Sequence, residues 1–359
     1  MEKDKSRVVG LDIMRMAMAL IVFMFHSRIH VLNCSYGILN SFVDMGAIAM
    51  TGFFMLSGYV LNLTYGEKDM FCFEEIKHFY KKRLISIMPL YFVWAFFLVV
   101  INMIINGEKA VIEEGILFPI EVLGIQSVFS SLFFFSHNDG SWFISCILIC
   151  YFLFPLIHII TKPITDKSKI VLILLLSAIL LWSPFVQHYF KLQSIYSNPF
   201  FRGLEFTIGI LVAQLNITSS PNRIIYLLRK PLICILSFIC LVLGVTIARK
   251  INIPADYMLY SWVALPCFIS LIVSLGSYKF KGLQNNKVIK YLSELSFCIF
   301  LGQINNVWYI VKDGLELMSC QANIIKIFVS FMTVFCIANL LHYFVEVPSS
   351  KYLKRKFMR

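Results

Sequence analysis

Apolar residues in this chain gather into long runs separated by short polar loops. The runs lie at about 8–32, 43–65, 84–106, 142–162, 170–190, 200–214, 231–248, 257–276, 291–311 and 322–345. A helix needs roughly 20 apolar residues to cross the hydrocarbon core of a bilayer, so this pattern predicts about ten membrane-spanning helices. One further run, 116–135, contains Pro119, Glu121 and Gln126. It reads as a re-entrant or interfacial segment, because backbone and side-chain polar groups have no partners in lipid.

The basic residues decide the topology. If 116–135 does not cross, both termini are cytoplasmic and most of the 32 Lys and Arg residues fall in inner segments, leaving only Lys109, Lys191, Arg249, Lys250 and Lys312 in outer ones. That is the positive-inside bias; if the run crossed, every later loop would change sides and the bias would collapse. The outer segment 107–141 is acidic, with Glu108, Glu113, Glu114 and Asp139 against Lys109, and is suited to cover an outward cavity. The expectation is therefore an all-α, polytopic membrane protein with one integral domain over 1–359: a helical bundle over 8–345 and a basic cytoplasmic tail over 346–359. The first run follows a basic tail as in a signal peptide, but its length of about twenty residues and its lack of a small-residue cleavage site mark a retained helix.

Composition agrees and excludes alternatives. Of 359 residues, 59% are hydrophobic and 14% charged, with a mean hydropathy of +0.78, which rules out an ordinary soluble domain. The net charge of +12 resides in the loops that orient the helices, so it does not indicate nucleic acid. The ten cysteines lie mostly inside apolar runs with no CxxC pair, and read as small hydrophobes rather than a metal or disulfide framework.

Against this apolar background the polar positions stand out. Asp12, Arg15, His26 and His30 share roughly one face of the first helix at about 100° per residue. Ionisable groups at membrane depth face a bundle interior or a watery cavity and mark a site where substrate, ion or proton is handled. The plainer alternative is that Arg15 neutralises Asp12 and the histidines sit among headgroups. Arg28 points away from the stripe and is expected to snorkel to headgroups. Lys81, Lys82 and Arg83 at the inner mouth of the third span read either as a positive-inside anchor or as a rim that binds phosphate groups. Gly52, Ser57 and Gly58 are packing positions between helices. Trp142 reads as an interfacial belt residue. Arg202 and Glu205, one turn apart, form an ion pair facing the bundle.

In order, these segments resemble the acyltransferase-3 family of integral membrane acyltransferases. Gly10-Leu11-Asp12-Ile13-Met14-Arg15 with His26 is similar to its first-helix signature, and Gly52-Phe53-Phe54-Met55-Leu56-Ser57-Gly58-Tyr59 to its second. Arg83 with Ile87, Pro89 and Tyr91 is similar to its third-helix motif. Trp142-Phe143, Arg202 to Gly209, Leu295-Ser296-Phe297 and Glu346-Val347-Pro348 match later features. The chain departs from the pattern at Ser86, where a second arginine is usual, at Ile147, where many members carry an acid, and at Gln303, where a histidine is usual.

The resemblance implies an O-acyltransferase of the cell membrane that moves an acyl group, often acetyl, onto a cell-surface or lipid-linked glycan. It implies acyl-CoA, and specifically acetyl-CoA, as donor substrate and no bound cofactor or metal. His26 would be the catalytic base, while Asp12, Arg15, Ser57, Lys82, Arg83, Trp142, Arg202 and Glu205 would serve substrate binding. A carboxylate such as Glu205, or a backbone carbonyl, would orient the His26 ring, since about 21 Å of helix rise separates it from Asp12. The competing function on the same polar stripe is a transporter or flippase for a polysaccharide or lipid-linked sugar, with His26 carrying protons.

Overall fold

The computed structural model describes residues 7–129, 141–190, 195–217, 223–251, 261–303, 305–319 and 321–358. Every regular element among them is helical: α1 Val9–His30, α2 Asn40–Val43, α3 Ala49–Tyr65, α4 Phe73–Asn106, α5 Glu108–Val122, α6 Ser141–Thr161, α7 Asp166–Phe190, α8 Pro199–Ile217, α9 Arg223–Leu228, α10 Pro231–Lys250, α11 Ser261–Ser277, α12 Lys287–Leu301, α13 Asn305–Leu317, α14 Asn323–Leu341 and α15 Val347–Phe357. Eight segments among the described residues are long and apolar enough to cross a membrane, and α11 is a shorter apolar helix. The protein is an all-α polytopic membrane protein.

Packing sorts the helices by depth. α3 and α8 form the centre, where Phe54, Tyr59, Phe206 and Ile210 are fully buried. They approach so closely that a Cβ on Gly58 would stand 2.0 Å from the Phe206 carbonyl oxygen, and one on Gly209 would stand 2.0 Å from that of Met55. Small residues at such crossings let membrane helices gain contact where no hydrophobic driving force separates helix from lipid. α7 and α10 lie outside, with Leu174, Trp182, Leu232 and Phe238 exposed as a lipid-facing surface requires.

Several boundaries differ from the sequence expectation. The third span begins at Phe73, well before residue 84, with Glu74 and Glu75 in its first turn, where carboxylates complement the helix dipole. Lys81, Lys82 and Arg83 therefore lie on the helix itself. The run at 291–311 is two helices, α12 and α13, parted at Gly302-Gln303. Glycine and the polar Gln303 weaken the helix there, and the Trp308 indole N–H donates to the Gln303 carbonyl at 3.0 Å, tying the second helix back to the break. The 116–135 run contributes to α5, which is too short to cross and packs along α4; residues 130–140 lie outside the described set. The expected tail is a helix, because α14 continues through a wider π turn at His342–Glu346 into α15.

The two described ends of the chain share one end of the bundle. Lys81 Nζ, near the start of α4, donates to the Phe357 carbonyl at 3.2 Å, and Arg7 donates towards the Asn286 carbonyl just before α12. At the other end of α1, Lys326 Nζ at the start of α14 donates to the Leu32 carbonyl at 2.9 Å.

Candidate functional site

The polar stripe on α1 is built into contacts with distant helices. Asp12 is ion-paired with Arg7 and accepts from Ser293 Oγ on α12 at 2.8 Å. Arg15 lies 3.5 Å from Asp12 and its Nη1 donates to the same Ser293 oxygen at 3.1 Å. With Arg7 supplying the tight pairing, the Arg15 guanidinium keeps donor capacity for a ligand.

That capacity faces a cavity of about 250 Å³. Its polar lining comes from Arg15, Ser57, Ser86, Tyr151, Ser293, Ser296 and the carboxylates Glu294 and Glu346, and Phe53, Phe143 and Phe300 contribute to an aromatic wall. Five helices and the π turn thus meet at one hollow. Arg83 stands just behind the lining, with its guanidinium 5.9 Å from the Tyr151 ring and 5.6 Å from the Tyr65 ring. Its buried Nε has no hydrogen-bond partner. Lys82 Nζ sits 5.9 Å from the other partner in this layer, the Tyr65 ring. Arg15, Arg83 and Lys82 make this end of the bundle cationic, and guanidinium forks are suited to phosphate oxygens.

His26 lies farther along α1, about 16 Å of rise from Arg15, and is not part of the cavity lining. Its ring is not turned outwards. It stacks with His30 at 5.8 Å and an interplanar angle of 6°, and with Trp308 at 6.4 Å and 16°. Its Nδ1 is buried without a hydrogen-bond partner, so no carboxylate holds the ring through that atom. Beside the stack, Gln303 is 3% exposed and neither side-chain atom of its amide is hydrogen-bonded. Unpaired buried polar atoms are costly and call for a partner or a role. At the far end of α1 a second cavity of about 250 Å³ is lined by Asn33, Lys312, Glu316, Ser319, Gln321 and Lys326 among others.

Arg202 and Glu205 form a third cluster. Arg202 Nη1 bonds both Glu205 oxygens at 2.9 and 2.8 Å, and Thr51 donates to Glu205 at 2.7 Å. Arg202 Nε donates to the Tyr196 carbonyl at 2.7 Å, and its guanidinium lies between the rings of Tyr196, Trp142 and Phe54 at 4.6, 5.6 and 5.6 Å. The Glu205 carboxylate is thus taken up by Arg202 and Thr51 rather than by His26. Trp142 is therefore a wall of this cage, 9% exposed, rather than an interfacial belt residue. Arg28 also differs from expectation: it pairs with Asp44 and donates to the Cys34 carbonyl at 2.9 Å, which removes the need to reach headgroups.

The structure thus joins Arg15 and Ser57 at one cavity, sets Arg83 and Lys82 behind it, and leaves His26 and the Arg202–Glu205 pair in separate clusters. Ser293, Tyr151 and Trp308 were not singled out from the sequence. For Trp308 a signal existed in the polar break Gln303, Asn305, Asn306 inside an apolar run; the serine and tyrosine carry none. Neither a curated protein nor a solved structure matches the chain. A family model described as an acyltransferase domain matches residues 8–343, nearly the whole length, and with it the chain belongs to the acyltransferase-3 family.

Proposed function

We propose that this acyltransferase is an O-acetyltransferase of the plasma membrane, taking acetyl from cytoplasmic acetyl-CoA and delivering it to a hydroxyl of a cell-surface or lipid-linked glycan. The observation that carries this reading is the arrangement along α1: a cavity that exposes the Arg15 guanidinium with Arg83 and Lys82 close behind it, an imidazole with an unpaired nitrogen at His26 and a polar cavity beyond Leu32. The basic residues of the inner loops support a cytoplasmic position for the Arg15 end. There Arg15, Arg83 and Lys82 hold the phosphates of the donor, and the aromatic wall of Phe53, Phe143 and Phe300 guides the thioester arm into the bundle. The outer cavity offers amide, hydroxyl and ammonium groups to sugar hydroxyls.

In the reaction, His26 takes the proton of the acceptor hydroxyl as its oxygen attacks the thioester carbonyl carbon. The tetrahedral intermediate collapses with cleavage of the C–S bond, and the proton passes to the departing CoA thiolate. A neutral imidazole with a free nitrogen is suited to this, and such a base contributes about 10² to 10⁴ in rate. Gln303, whose carbonyl holds Trp308 of the stack, keeps an unpartnered side-chain amide as the donor for the developing oxyanion.

The test is CoA release from acetyl-CoA by purified protein in lipid nanodiscs, with surface glycan extract as acceptor and mass spectrometry of the product. Acetyl-glycan should form with the wild type, and His26→Gln should lower kcat by about 10² to 10⁴. Full activity in a folded His26→Ala protein, or transport of a glycan with the thioester left intact, overturns the proposal.

A further inference from the structure

Where α12 packs against the end of α14, three side chains of different chemistry converge. Cys298 comes from α12, and His342 and Glu346 come from the π turn at His342–Glu346. Glu346 Oε2 accepts from the Cys298 thiol at 3.2 Å and lies 2.7 Å from His342 Nδ1. The sulfur, the nitrogen and the carboxylate oxygen all fall within 4.8 Å of one another. Cys298 and His342 are buried, whereas Glu346 reaches the wall of the Arg15 cavity.

We propose that Cys298, His342 and Glu346 form a binding site for one divalent transition-metal ion, Zn²⁺ fitting best, with the fourth coordination position directed at the cavity. The donor set is the first argument. Thiolate sulfur, imidazole nitrogen and carboxylate oxygen are the ligands Zn²⁺ takes at about 2.0 to 2.3 Å, which sets neighbouring donors of a tetrahedron roughly 3.2 to 3.8 Å apart. The thiol and carboxylate already have this spacing, and the imidazole and carboxylate need to separate by under about 1 Å, within the reach of side-chain rotation.

Charge is the second argument. Among the described residues the Glu346 carboxylate pairs with His342 and the Cys298 thiol, so without an ion it rests on a thiol and an imidazole. With Zn²⁺, one thiolate, one carboxylate and a neutral imidazole, the site has no net charge, which a low-dielectric bundle favours. The backbone supplies the third. Isolated π turns inside α-helices are rare and concentrate at functional sites, and here the turn sets two of the three ligands one above the other. Three protein ligands with an open fourth position are the pattern of reactive rather than purely structural zinc. The site stands independently of the proposed acetyl transfer.

The experiment is metal analysis of the tag-free, purified full chain, followed by Co²⁺ titration of chelator-treated protein. Plasma mass spectrometry should find about one Zn²⁺ per chain, and Co²⁺ should produce sulfur-to-metal charge-transfer absorption, because a bound thiolate is required for that band. Cys298→Ser should abolish the band, and His342→Gln should weaken metal affinity by at least about tenfold. A wild-type chain that holds no stoichiometric metal and gives no charge-transfer band with Co²⁺ overturns the proposal, leaving the trio as a hydrogen-bonded cluster. This wild-type result decides the matter even where a variant fails to fold.

Discussion

Arg202 and Glu205 show what a buried charge needs in order to persist in an apolar bundle. Both Glu205 oxygens are held by Arg202, one of them also by Thr51, and Arg202 is held by the Tyr196 carbonyl and an aromatic face. Removing one member leaves the other unpaired, which costs about 3 to 5 kcal/mol. Glu205→Ala should therefore lower the unfolding temperature of the detergent-solubilised protein markedly. Removal of the exposed Lys290 from its pair with Glu294 should stay within about 1 kcal/mol. Equal effects in thermal melts would show that the cage is not what stabilises this region. His26 is the opposite case: its Nδ1 is buried without a partner, so the molecule retains an imidazole whose hydrogen-bonding capacity is unspent.

Elements here are positioned by close approach more than by propensity. α3 and α8 meet with backbone almost against backbone at Gly58 and Gly209, and α3 carries Ser57 to the Arg15 cavity. Gly58→Ala and Gly209→Ala should each destabilise by about 1 to 3 kcal/mol, since the added methyl forces the helices apart. The double variant should cost less than the two single losses added, because the first separation already makes room for the second methyl. Gly203→Ala on the same α8, where a Cβ meets nothing within 4 Å, should leave stability unchanged or raised. Thermal melts of the four variants check this; a Gly58→Ala protein as stable as wild type would contradict the packing. The break between α12 and α13 acts at the same scale. It lets Trp308 turn onto His26 and bond back to the Gln303 carbonyl, an arrangement that an unbroken helix would not allow.

At the scale of the whole molecule, the bundle has two unlike ends. One collects Arg7, Arg15, Lys81, Lys82 and Arg83 around the Arg15 cavity, and the other holds the cavity beyond Leu32. Cys72, exposed in the turn before α4, reports which end faces the cell interior. As the single thiol of an otherwise cysteine-free variant, it should react with a membrane-impermeant maleimide in inside-out vesicles and remain unlabelled in intact cells. Labelling of intact cells would invert the orientation and, with it, the side from which a donor enters.

The all-α polytopic class and most of the apolar helices were legible in the sequence, because run length is a local property that lipid acts on directly. So was the family, through segments whose order along the chain survives without any contact being known. The tertiary structure alone decided partners. It joined Asp12 to Ser293, brought Tyr151 beside Arg83 at the Arg15 cavity, and left Glu205 with Arg202, as their spacing predicts, and not with His26. It also parted one predicted span at Gly302-Gln303 and drew Cys298, His342 and Glu346 together. Apart from the local Arg202–Glu205 and His342–Glu346 pairs, these contacts join residues dozens to hundreds of positions apart, and they depend on which helices touch, at what angle and how closely. No periodicity within one helix records that information.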